Sequence, residues 1–198
     1  MSRFTKKKKE HIGLSPYALV FRGQKKTDKI LLQAMDFDLE SVRELEVKTK
    51  EGLVSLKNSK TLSWLNIYGL DNVETMEELA QVFAIDDNIL SDVMNPSLRP
   101  KVQEFDNGIF ATIKILSYNE STEQLSVENL SLIMIDHVLI SFQEQETSLF
   151  EPIRERIRKH KNKIRTSGSD YLAFTMLDIV VDNYIYIIGL LGEKIENL

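Results

Sequence analysis

Ile89-Leu90-Ser91-Asp92-Val93-Met94-Asn95-Pro96-Ser97-Leu98-Arg99-Pro100-Lys101-Val102 is the stretch on which the reading of the fold turns. Leu90, Val93 and Met94 continue a short helix. Two prolines four residues apart then stop it, because each removes a backbone donor and drives its predecessor toward extended geometry. Asp92 is thereby placed at the end of a helix, beside a fixed turn. An apolar run opening at Ile109 predicts a strand over 109–116.

Working outward, the chain after this strand reads as antiparallel sheet: a turn over 118–123, a strand over 125–135, a two-residue turn at Asp136-His137 and a strand over 138–142. Before the quoted stretch, Val73, Met76, Leu79, Ala80 and Phe83 mark one face of an amphipathic helix over 71–83. Residues 61–70 read as a strand and 48–60 as polar and irregular. Asp38 offers an N-cap for a short helix over 38–43, and the apolar runs 16–23 and 29–37 read as a hairpin or two adjacent strands. Helices and strands mix without regular alternation. The expected fold is α/β, a mixed parallel/antiparallel sheet sandwiched between two groups of helices and followed by the start of a long helix.

From Ser148 the chain turns helical, with Leu149, Ile153, Ile157 and Ile164 on one face and a basic run over 154–165 on the rest. Residues 166–169 break this helix and Asp170 is expected to cap the next. In that last helix nearly every position is apolar except a stripe of Thr175, Asp178, Asp182, Gly189, Glu193 and Glu196, spaced three, four, seven, four and three apart. Such a cylinder must be covered on several sides. It reaches Leu198 with neither a glycine nor a proline stop, so the expectation is a fragment whose continuation supplies the cover. The same segment is not read as a membrane span, because Asp178, Asp182 and Asn183 interrupt it. The expected division is a basic disordered tail over 1–13, an α/β domain over 14–166 and the start of a long helix over 167–198.

Composition narrows the functional classes. With 198 residues, 42% of them hydrophobic and 28% charged, the chain is an ordinary globular one that can bury a sizeable core. There is no cysteine, which excludes disulfides and thiolate metal sites. A net charge of −5 argues against a surface built overall for nucleic acid. Lys6 to Lys9 are not followed by the apolar core of a secretory signal. His11, His137 and His160 fall in a tail, a turn and a basic helix, no serine stands in a nucleophile elbow, and no glycine-rich phosphate loop exists. An enzyme is not expected.

Asp92, Arg99-Pro100-Lys101-Val102, Glu104-Phe105 and the strand from Ile109 resemble the cytoplasmic domain of CorA-type magnesium and cobalt transporters. The likeness continues in the same order through Phe142-Gln143-Glu144, Phe150 to Arg158, and Asp170-Tyr171-Leu172 with Leu177-Asp178, and more weakly through Trp64 to Ile67 and Leu14 to Gly23. It implies the regulatory cytoplasmic domain of a divalent cation transporter of the cell inner membrane, a homopentamer when complete, sensing magnesium, with cobalt also possible as the ion. The family's two membrane helices and their Gly-Met-Asn signature have no match here. Asp92 and Asp178 are the positions matching the family's regulatory cation sites, which lie between subunits. Ser91 departs from an acid that the family often places there, and Asp182, one turn after Asp178, is a possible substitute ligand.

Blander readings stand beside these. An aspartate closing a short helix is often a cap or turn residue, and one on an amphipathic helix often faces water. Seven Lys or Arg within 154–165 suit phosphates or anionic lipid, although aromatic interleaving is missing and the acidic stripe of the last helix offers a simpler complement. Nucleic acid is not the expected partner. A soluble α/β scaffold that assembles through the apolar last helix is the further alternative.

Overall fold

The computed structural model describes residues 13, 15, 18–160 and 163–196. In chain order the elements are β1 (Leu31–Phe37), β2 (Val42–Glu46), α1 (Lys50–Lys57), β3 (Leu62–Tyr68), α2 (Val73–Phe83), α3 (Asp87–Val93), β4 (Lys101–Phe105), β5 (Gly108–Asn119), β6 (Gln124–Ile135), β7 (Val138–Gln143), α4 (Glu151–Arg158) and α5 (Ser169–Glu196). The strands form one sheet in the order β2-β1-β3-β7-β6-β5-β4. All neighbours pair antiparallel except β3 and β7, which run parallel with Trp64 opposite Leu139.

The alternation of side chains along the central strands divides the core in two. Leu65 and Ile67 of β3 and Ile133 and Ile140 of β6 and β7 face one way, onto Leu53 and Leu56 of α1, Met76, Leu79 and Phe83 of α2, and Ile89, Leu90 and Val93 of α3. Trp64, Leu132 and Leu139 face the other way, onto Ile153 and Ile157 of α4 and Leu172, Ala173, Met176 and Val180 of α5. The expected sandwich is therefore present, with α1 to α3 over one face and α4 and α5 over the other. Each fully buried aliphatic or aromatic side chain contributes roughly 1.5–3 kcal/mol.

Local expectations fail where polar side chains serve the backbone in another way. Asp38 does not start a helix. Its Oδ1 accepts from the amides of Glu40 and Ser41, both at 2.8 Å, and so turns β1 back into β2. Residues 50–57 are helical rather than irregular, capped by Thr49 and anchored by Leu53 and Leu56. Residues 18–23 form no strand, and Arg22 N instead donates to Met94 O at 2.9 Å. The basic helix stops at Arg158, where His160 adopts a left-handed φ of 49°, and Arg165 donates back to the carbonyls of Ile157 and Arg158. Asp170 lies inside the first turn of α5 and accepts from Tyr171 N at 2.8 Å. Of the basic tail, all but Gly13 lies outside the described residues, as does Lys161 of the basic run.

By length and composition alone α5 is apolar enough to cross a bilayer. One side of it is covered by the sheet instead, through Leu172, Met176, Val180 and Ile187. Asn183 Nδ2 donates to Leu116 O at 2.7 Å, Tyr184 OH donates to Lys114 O, and Lys194 Nζ reaches Glu123 in the β5–β6 turn at 2.5 Å.

Candidate metal centre

Asp92 is placed by what surrounds it. α3 forms because Ile89, Leu90 and Val93 recur at helical spacing and are fully buried. It closes at Met94, whose amide donates to Leu90 O at 2.9 Å. The turn that follows is held from the sheet: Lys114 Nζ donates to Pro96 O at 2.9 Å and Asn129 Nδ2 to Asn95 O at 3.1 Å. Burial draws the Lys114 ammonium below its ordinary pKa, and the Glu144 charge opposes this. Ser91 is buried, with its hydroxyl turned inward to Ala18 O at 3.5 Å.

The Asp92 carboxylate is partly exposed and carries an ion pair that the sequence did not announce. Lys101 Nζ lies 2.6 Å from Asp92 Oδ2, also donates to Gln103 Oε1 at 2.8 Å, and sits 5.5 Å from the centre of the Phe110 ring. Lys101 opens β4, the outermost strand of the sheet. The signal was available only in part: a cation resuming the chain just after Pro100, with no periodicity to aim it back at α3.

Asp178 sits on α5, exposed, with exposed Asp182 one turn further along the same side. The docked residues Met176 and Val180 alternate with them and fix which side faces out. Asp92 and Asp178 thus belong to helical layers on opposite faces of the sheet, and a single chain does not bring them together. Among the described residues no group of three or more His, Asp or Glu side chains gathers into a metal site. The donors themselves suit a hard dication, which takes carboxylate oxygen and completes its shell with water. Within one chain each aspartate offers only its own carboxylate oxygens to such an ion.

The family model described as CorA-like Mg2+ transporter protein matches residues 59–198. The chain belongs to the CorA family. The cobalt/magnesium transport protein CorA of Thermotoga maritima is 31% identical over 94% of this chain and 53% of its own length, so the chain spans about half of that CorA relative. The fold matches the soluble domain of CorA from Methanocaldococcus jannaschii with a TM-score of 0.62 and 16% identity, over 85% of this chain and 62% of that one. It matches the ZntB cytoplasmic domain from Vibrio parahaemolyticus equally well, with a TM-score of 0.62 and 10% identity over 85% and 64%. The CorA soluble-domain fold, with its mixed sheet and long final helix, is the one expected from the four sequence blocks.

Proposed function

We propose that this chain is the cytoplasmic regulatory part of a CorA-type divalent cation transporter of the inner membrane, and that it senses magnesium, the ion the transporter carries, with cobalt as a second possible cargo. Residues 14–166 would form the sensing domain and 167–198 the start of the helix leading toward the membrane part. Asp92 of one copy and Asp178 of the next would hold the ion, assisted by Asp182. The supporting observation is that the two carboxylates sit on opposite layers of one fold. Patches that differ and meet head to tail generate rings, and a pentamer is one such closure. A cation bound at every contact favours the state in which those contacts are made, by its differential affinity, and so provides negative feedback on a pore.

Thermal melts with and without tens of millimolar magnesium chloride test this. At ten times Kd an ion binding only the folded assembly adds about 1.4 kcal/mol, or roughly 3–5 °C for a chain of this size. The Asp92→Ala, Asp178→Ala double variant is expected to lose that shift. Equal shifts in both proteins would remove these ligands from consideration. A soluble scaffold draws on the exposed outer side of α5, where Phe174, Ile185 and Ile188 face out; it predicts self-association that is indifferent to magnesium.

A further inference from the structure

We propose that Lys101 is the resident counter-cation of Asp92, which an incoming divalent ion must displace, so that Lys101 sets the concentration at which the half-site fills. This rests on the assignment of Asp92 as a cation ligand. The Lys101 ammonium already occupies the carboxylate, at 2.6 Å from Oδ2, where a bound ion would compete for the same oxygen. The side chains of Asp92 and Lys101 are 28% and 34% exposed, so an ion can reach the pair from solvent.

The ammonium also has somewhere to stay when the carboxylate is taken. Gln103 Oε1 accepts from it at 2.8 Å and the Phe110 ring lies 5.5 Å away, so displacement does not require Lys101 to leave β4 or to give up every partner. Among the described residues no strand pairs outside β4, and neighbouring Val102 is 74% exposed. A dication attracts the carboxylate about twice as strongly as an ammonium at equal distance, so exchange is driven by ion concentration rather than by a change of fold.

The experiment follows the thermal shift of the 198-residue chain through titrations with magnesium chloride and, separately, cobalt(II) chloride. Its readout is the midpoint, the apparent Kd fitted to the growth of the shift with ion concentration, which a merely structural loss in Lys101→Met would not lower. Lys101→Met is expected to lower it by about threefold to fivefold, the factor a partly exposed ion pair is worth. The factor should be the same for both metals, because a competitor and not a ligand has been removed. Lys101→Arg keeps the charge and should stay near the wild-type midpoint, while Asp92→Ala should give no ion-dependent shift. An unchanged or higher midpoint in Lys101→Met, with Asp92→Ala flat, overturns the role of Lys101 and leaves the site standing. A wild-type response in Asp92→Ala, or a wild-type chain flat to tens of millimolar, overturns both.

Discussion

Asp36 lies near the end of β1 almost out of water, and four donors hold it there: Thr61 Oγ1 at 2.5 Å, Ser63 Oγ at 2.8 Å, Arg43 Nη2 at 2.9 Å and Ser59 Oγ at 3.2 Å. Burial pushes its pKa up, but the three hydroxyls and the Arg43 charge together outweigh it and leave the carboxyl below its ordinary value of 3.8. A depressed carboxylate stabilises the fold above its unfolded pKa, and that contribution disappears as pH falls through the folded one. Asp36→Asn should therefore cost about 1–3 kcal/mol at neutral pH. In denaturant melts taken from neutral to acid, the gap from wild type should close at the acid end; a gap independent of pH would show that the charge is not the cause. Arg154 is another buried charge, with its guanidinium carbon 4.3 Å from the Trp64 ring centre, Nη2 3.3 Å from Tyr68 OH and Nε 3.6 Å from Glu151. Arg154→Ala should lose about 2 kcal/mol or more in the same melts, since a desolvated cation over indole is the strong form of that contact. At this scale Asp92 was legible, because two prolines dictate a helix end whatever the tertiary structure. Its partner Lys101 was not, because an ion pair across a turn leaves no periodic trace.

At the scale of elements, Arg154, Arg158, Lys159 and Arg165 of the basic run bind acids or carbonyls of the fold itself. Arg158 bonds Glu44 and Glu155, at 2.7 and 3.0 Å, and Glu151 at 2.5 Å, Lys159 reaches Glu155 at 2.5 Å, and Arg165 closes the helix on two carbonyls. The hydrogen bonds that Arg158 donates to Glu44 and Glu151 hold its pKa well above its usual range. Cations already committed to carboxylates offer little to phosphate, so the chain should pass heparin resin at moderate salt without retention; retention that disappears steeply with salt would restore the phosphate reading. α1 was missed for the opposite reason. Its exposed majority and Gly52 read as loop, while two buried leucines and the Thr49 cap suffice to form it. Leu53→Ala should cost about 2–5 kcal/mol in a denaturant melt, the range for emptying a closed core site. Elements with a strong apolar signature such as α2, β6 and β7 came through because burial on one or both faces demands it. Short ones built on a cap or a side-chain turn did not.

On the scale of the whole molecule, the sheet is the reason the candidate ligands cannot meet within one chain. It holds α3 and α5 on opposite faces, and among the described residues the outer side of α5 is exposed and β4 ends the sheet. The helix–sheet–helix sandwich could be read from the order of elements, but which aspartate lies on which layer needed the topology. The most direct test is complementation between two defective chains. Asp92→Ala and Asp178→Ala should each lose the magnesium-dependent thermal shift when measured alone. Mixed in equal amounts, they should recover part of it, because some contacts then join an intact Asp92 to an intact Asp178 from different copies. A mixture as flat as its two components, under conditions where the wild-type chain responds, would contradict a site shared between subunits.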